Sequence, residues 1–530
     1  MRAAGNPARA RTAAAALIAA SLLALTGCGG GDKDGGTTAS GTAGTGTPRA
    51  GGTLTMLATG ESNSLDPFGA NYGGAPADNA RMAALYDTLV YLDPEANTVK
   101  TQLAESLATA DGGATWTLKL RPGVTFSDHT VFDAEAVRLN WEMHARPELR
   151  SQHRAAAIGL TLTVADALTL RISLPAPNPS FDRTVAADLT FIAAPSVIAK
   201  GPDVYRTRPV GAGPFTLTRW TRGSEQTYEK NPGYWQKDKR LPYLDRVSIK
   251  VVSDIEQQYK TLRARGADIV IGAEALLDRA GNGLNSRPVR ANGGQAVQFN
   301  VIKAPFDDVR ARRALALAVD PADMARTLGV GAVPARGYFN TGSPFFDAAA
   351  AQPAFDKVEA QRLFDELAAQ GRKTEFTFVV PKSSVSDRVA EYLQSRLNQY
   401  RHVSLKIESL DIAAYVTRVV VQKDYQATLT QDWVIDPEPR TWNTFSSTSP
   451  QNPAGWKNPD ADRALRAGRA ATDPASRKAA YNDLQQVLAA DLPLWVYGES
   501  TQGPVFTDRV TGVALFNSGS VLMDRIGLTG

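Results

Sequence analysis

Residues 375–433 alternate between two hydrophobic periods. Strand patterns over 375–380, 403–409 and 425–433 are separated by helical patterns over about 386–399 and 411–421. Strands separated by helices of that length are joined by right-handed crossovers, so this stretch predicts a largely parallel sheet covered by helices. The fold class is therefore α/β. Ligands of open parallel sheets sit beyond the carboxyl ends of the strands. That directs attention to the segment after residue 433.

Upstream, strand patterns dominate. A first strand is expected over 52–59, and Trp116, Leu118 and Leu120 alternate before the Pro122-Gly123 turn. Asp133 is placed to cap a helix that carries Val137, Trp141 and His144 on one face. Leu168, Leu170, Ile172 and Leu174 alternate up to Pro175, and residues 214–231 read as a hairpin turning at Arg222-Gly223. Val247, Ile249 and Val251 form a strand, after which Asp254 caps a helix bearing Ile255, Tyr259 and Leu262, and "ADIVIG" is a short buried strand. Near the end, Asp473-Pro474 supplies an N-cap and an N1 proline to a late helix, and 492–498 is a last strand.

The N-terminus is of a different kind. Arg2, Arg9 and Arg11 precede an apolar run from Thr12 to Leu25, too short for a comfortable membrane span and ending in Thr26 and Gly27. This is the layout of a secretory signal over residues 1–27. Cys28, the single cysteine of the chain, follows it directly in "LTGC". The reading is a lipobox whose cysteine becomes the lipidated first residue of an exported protein held at the membrane. Residues 28–50 are a flexible Gly/Thr-rich tether, with an average reach of roughly 25 Å. With no cysteine left to pair, the exported part must be held by its core. The whole chain's 58 basic and 54 acidic residues are well mixed, and no basic stripe with interleaved aromatics suggests nucleic acid.

Catalytic templates fail. The chain has no G-x-S-x-G, H-E-x-x-H or Walker A motif, and "GAGPFT" lacks the third glycine of a dinucleotide loop and reads as a tight turn at Gly211 and Gly213. His129, His144, His153 and His402 share no metal-ligand spacing and are expected on the solvated surface, so neither a metal nor a cofactor is expected. Instead, "QDWVIDPEPRTWNTF" gathers Trp433, Asp436, Glu438, Trp442 and Phe445 after the last strand of the alternation, with Trp456 beyond. Tryptophans beside a carboxylate suit a ligand with an apolar body and a cationic end. The same segment is equally consistent with Trp433 and Trp442 in the core and Asp-Pro as a plain turn.

Several segments together resemble a known family. "GGTLTM…ES…LDPF" (51–68), "LYDTLVYLDP" (85–94), residues 103–142, "VGAGPFTLTRW" (210–220), "NPGYW" (231–235), residues 299–324 and "LPLWVYGE" (492–499) are similar, in order, to the dipeptide/oligopeptide-binding proteins of ABC importers, solute-binding family 5. The resemblance implies a two-lobed, type II periplasmic-binding-protein-like fold with an extra subdomain in the N-terminal lobe. It implies a first lobe over 51–300 with the subdomain at about 75–195, a second α/β lobe over 301–490, and a return to the first lobe over 491–530. Crossings near Asn300 and Asp491 would form the hinge.

In peptide-binding relatives, a W-x-x-D motif offers its aspartate to the ligand's α-amino group. Trp433–Asp436 matches that spacing, while the D-Y-P-D-P continuation is one residue short in Asp436-Pro437-Glu438-Pro439. Arg336, for a ligand carboxylate, with Tyr338 beside it, and Ser62 and Asn63 on the opposite wall complete the expected contacts. The function so implied is that of a monomeric, membrane-tethered receptor, not an enzyme, that takes a small solute, a peptide by preference, to an ABC permease. A metal chelate or oligosaccharide is the nearest alternative ligand. A secreted polymer hydrolase with a carboxylate pair, or a sensor lipoprotein without transport, are the alternatives of other classes.

Overall fold

The structure is a computed structural model and describes residues 46–529 apart from 73–74, 282 and 329–332. The signal and Cys28 lie outside the described residues. Among the described residues, three sheets of four or more strands carry the fold. The first has seven strands in the spatial order Leu284–Ser286, Pro504–Thr507, Ile269–Ile271, Thr53–Ala58, Arg246–Val251, Glu225–Lys230, Phe215–Thr221. Its centre is parallel: Thr53–Ala58 pairs in the same direction with Arg246–Val251 and Ile269–Ile271. Between those two partners runs the helix Ile255–Arg263, whose first turn is capped where Asp254 accepts from the Gln257 amide at 2.7 Å. Leu54, Met56, Ile249 and Ile269 form the core of this lobe with the C-terminal Phe516, Val521 and Ile526.

A four-stranded antiparallel sheet, Ala104–Ala108, Thr115–Leu120, Thr169–Ser173 and Thr161–Asp166, builds the subdomain. Trp116, Leu118 and Leu120 all point into its core, and Asp133 caps the helix Ala134–Ala145, whose Val137, Trp141 and His144 are buried. His144 and His153 are therefore not surface histidines as expected: both are buried, and burial, with the neighbouring His153, drives the His144 pKa well down. The turn at Gly211 and Gly213 meets the end of the helix Pro76–Tyr86. A Cβ on Gly213 would lie 2.4 Å from the Ala84 carbonyl oxygen, so only glycine fits.

The second lobe's sheet has the order Val403–Leu410, Thr374–Pro381, Ala427–Val434, Val289–Phe299, Leu494–Gln502. The first three strands are parallel and follow the predicted alternation. The last two pair antiparallel, so the sheet is mixed rather than largely parallel. The helix expected over 411–421 begins at Asp411, which caps Ile412–Tyr415, and widens into a π-helical turn over Val416–Val421.

The antiparallel pair also moves the crossings. Val289–Phe299 and Leu494–Gln502 both belong wholly to the second sheet, and Leu284–Ser286 and Pro504–Thr507 to the first. The chain therefore passes between sheets at residues 287–288 and 503, not near Asn300 and Asp491. The two passages touch: a Cβ on Gly503, at φ +145°, would sit 2.1 Å from the Arg287 carbonyl oxygen. The chain after that returns to the first lobe, where Asp524 is buried beside Asp87. The Tyr234 hydroxyl oxygen lies 2.8 Å from Asp87 Oδ2 and 3.3 Å from Asp524 Oδ2. Gln236 Nε2 donates to Asp524 at 3.0 Å and Trp235 Nε1 to Asp87 at 2.8 Å. Among the described residues no helix is long and apolar enough to cross a membrane.

Candidate functional site

Ala427–Val434 is the strand that ends at the aromatic and acidic segment. Asp432 and Val434 are buried, while Gln431, Trp433 and Ile435 are half-buried, the alternation a pleated strand imposes. The loop after it is held from behind by Asn292, whose Nδ2 donates to the Ile435 carbonyl at 3.3 Å and whose Oδ1 accepts from the Asn340 amide at 3.1 Å. Beyond the loop, Arg440 opens a short helix to Phe445 and turns back to Asp432, with Nε and Nη2 at 3.1 and 2.9 Å from Oδ1.

A cavity of about 260 Å³ lies at this strand end. Trp433, Asp436 and Arg440 line it from the second lobe, and Tyr72, Asn79 and Arg183 from the first. Tyr72 is a rigid wall. Its ring stacks on His153 at 3.8 Å between centroids, and its hydroxyl donates to the Asp188 carbonyl at 2.7 Å. His153 Nδ1 in turn lies 3.0 Å from Asp188 Oδ1.

The charges are the decisive feature. Asp436 is almost wholly buried, and Arg477, from the helix Pro474–Asp491, grips both its oxygens at 2.7 and 2.5 Å. Arg183 Nε reaches it from the first lobe at 2.8 Å, and the Glu438 amide donates to it at 3.0 Å. Burial alone would raise the Asp436 pKa; the Arg477 hydrogen bonds and the charges of Arg477 and Arg183 outweigh it and hold the pKa below the usual value. Two residues on, Glu438 is clasped by Arg469 at 2.6 and 3.0 Å. Asn178 and Thr184 of the first lobe each lie 3.3 Å from its Oε1.

The expectation of an Asp436 carboxylate open to a ligand cation does not hold in this structure, because two guanidinium groups already occupy it. The other expected contacts scatter. Trp433 lines the cavity, whereas Trp442 faces a neighbouring cleft of about 410 Å³ under the Arg469 guanidinium, 3.9 Å from its ring. Phe445 and Tyr338 are buried against each other with ring centroids 4.9 Å apart, in a core that includes Trp456. Arg336 is exposed and outside the cavity. Ser62 is buried and donates to the Ser64 carbonyl, and exposed Asn63 also lies outside the cavity.

Arg183, Arg477, Tyr72 and Asn79 were not legible as site residues. The available signal was Arg477, which shares a buried helix face with Tyr481, Leu484 and Leu488 and so requires a buried acid.

A family model described as bacterial extracellular solute-binding proteins, family 5 (middle), matches residues 98–453, more than half of the chain. The chain belongs to that family. This family 5 protein is 31% identical over 291 residues to the glutathione-binding protein GsiB of Escherichia coli O1:K1 / APEC, an alignment covering 53% of this chain and 55% of the relative. It thus spans about half the length of such curated relatives. Among solved structures it shares the fold of the oligopeptide-binding protein AppA of Bacillus subtilis, in complex with a nonapeptide, with a TM-score of 0.78 at 20% identity over 91% of this chain and 100% of the other. Haemophilus influenzae OppA gives 0.77 at 20% identity, over 91% and 100%. The two-lobed fold with mixed α/β content is that of these family 5 proteins.

Proposed function

We propose that this chain is the receptor of an ABC importer, which captures a peptide-like solute between its lobes and hands it to a membrane permease. The observation that carries the reading is the cavity whose walls come from both lobes, Tyr72 and Asn79 on one side and Trp433 and Arg440 on the other. A ligand held there gains contacts with both walls only in the closed form, so binding energy is converted into closure. The passages at 287–288 and 503 would act as the hinge, since few residues then absorb the rotation. Binding and release complete the cycle, with no covalent step. Lipid on Cys28 would keep the monomeric receptor at the extracytoplasmic face of the membrane, where dual acylation gives stable anchoring and a single chain does not.

Native mass spectrometry of the protein purified without refolding tests the ligand. A co-purified peptide, lost on Trp433→Ala, supports the reading, and a bound sugar or metal chelate replaces it. For the anchor, Cys28→Ser should move the protein from the membrane fraction to the soluble one; retention at the membrane refutes lipidation there.

A further inference from the structure

We propose that Arg183 is a built-in substitute for a ligand's ammonium group at Asp436, so that the cavity selects ligands bringing no cation to that carboxylate, such as peptides with a blocked or otherwise uncharged leading end. This rests on the receptor reading above and names the class of ligand for the same cavity.

The argument starts from the valence of the carboxylate. An ionised aspartate offers about four lone-pair positions. At Asp436 one oxygen accepts from Arg477 Nη2 and the Glu438 amide, and the other from Arg477 Nη1 and Arg183 Nε. All four are taken. Three of these donors come from the second lobe and brace the carboxylate; the fourth, Arg183, comes across from the first lobe and lines the cavity together with Asp436. Arg183 is prepared for that position. Its Nη2 donates to the Asn97 carbonyl at 3.2 Å and its Nη1 lies 3.6 Å from Asp182 Oδ1, so the side chain is tied at both ends of its guanidinium. A free ammonium would have to expel a planar, pre-organised, charge-assisted partner and leave it with only the longer 3.6 Å carboxylate contact to Asp182.

What remains unspent in the cavity is neutral. Among the described residues lining it, two buried polar atoms lack a hydrogen-bond partner: the Trp433 Nε1 donor from the second lobe and the Asn79 Oδ1 acceptor from the first. Asn79 is itself 1% exposed, with its Nδ2 held on the Tyr72 carbonyl. An unpaired buried donor and acceptor on opposite walls fit a group offering one acceptor and one donor, which an amide does and an ammonium does not. The same Arg183 bond joins the lobes, alongside Asn178 and Thr184 on Glu438. The cation that a ligand would bring to close the receptor is therefore carried by the receptor.

The test presents the full-length protein, its Arg183→Gln variant and its Arg183→Lys variant with an equimolar pool of tetrapeptides, half with free amino termini and half N-acetylated. Captured peptides are read by native mass spectrometry. The wild type is expected to take acetylated peptides at least as well as free ones. Arg183→Gln is expected to shift the captured ratio at least tenfold toward free amino termini, and Arg183→Lys, which returns an ammonium on the same tether, to move it back. A wild type favouring free amino termini tenfold or more overturns the proposal, a result that needs no variant to fold. An unchanged ratio in folded Arg183→Gln overturns it as well. Capture of neither form by any of the three removes the peptide reading of function instead. Arg183 is then judged by small-angle X-ray scattering without ligand, with Arg183→Met standing in should the glutamine variant not fold. A larger radius of gyration in the variant than in the wild type supports the bridge, and an equal one overturns it.

Discussion

At Asp436 a buried carboxylate is enclosed by two arginines; at Asp87 the charge closest in effect is a second carboxylate, Asp524, with Arg525 Nε 3.8 Å from Asp524 Oδ1. Both sites are deeply buried and both are supplied with hydrogen-bond donors. Their acidities move in opposite directions. The Asp436 pKa is lowered because the hydrogen bonds and charge of Arg477, with the charge of Arg183, overcome the burial penalty. The Asp87 pKa is pushed up to about 7, first by burial and then by the charge of Asp524, despite hydrogen bonds from Trp235 and Tyr234. Hydrogen bonds alone do not hold the Asp87 pKa down against burial, whereas two arginines on one carboxylate do so at Asp436.

That contrast can be broken most forcefully at Asp436 itself. Asp436→Ala leaves Arg477 and Arg183 without their shared anion, and removing one partner of a buried pair costs about 3–5 kcal/mol. Urea denaturation should show a loss of that size, and a loss under about 1 kcal/mol, the range of exposed pairs, would mean that water reaches the cluster. Asp436→Asn keeps the shape and removes the charge, with an expected cost of about 2–3 kcal/mol, the upper range for hydrogen bonds to charged groups. Its pH dependence is set by the sign of the shift. A lowered folded pKa contributes stability that is present above the unfolded value of about 3.9 and is lost as pH falls through the folded pKa. The asparagine variant should therefore show a flatter acid limb than the wild type below about pH 4.

The Asp87–Asp524 pair has the opposite sign. With a raised folded pKa the native state holds more protons than the unfolded chain between about 4 and about 7, so stability falls as pH rises through that window. Asp524→Asn removes both the repulsion on Asp87 and the titration of Asp524 itself, and should make that decline smaller. Denaturation at pH 5 and pH 8 measures it. An unaltered decline would mean that another group titrates there. The smallest effect is expected where burial is absent. Arg362 is exposed between Glu359 and Glu366 on a surface helix, and Arg362→Ala should shift the urea midpoint less than any of the substitutions above.

Local order was readable in the sequence because it is enforced locally. The caps at Asp133, Asp254 and Asp473, the hairpin at Arg222-Gly223 and the alternation over 375–433 depend on neighbours a few residues away, and each stands at or within a few residues of where it was expected. The segment that ends in Asp436 could likewise be singled out, since a strand end rich in tryptophan and acid is an unusual pattern. Its state could not. Arg183 and Arg477 lie 253 and 41 residues from Asp436; the apolar helix face around Arg477 calls for a buried acid, but nothing near either arginine says which one.

The crossings were misplaced for a similar reason. Whether Leu494–Gln502 joins the first sheet or the second is decided by pairing with Val289–Phe299, a partner some 200 residues earlier. Sequence by itself determined the α/β class, the caps and turns, and the family pattern that runs through the chain. Only the tertiary structure decided which charges neutralise which. A carboxylate's chemistry depends on what its burial brings within about 3 Å, and the fold, not the segment, sets that distance.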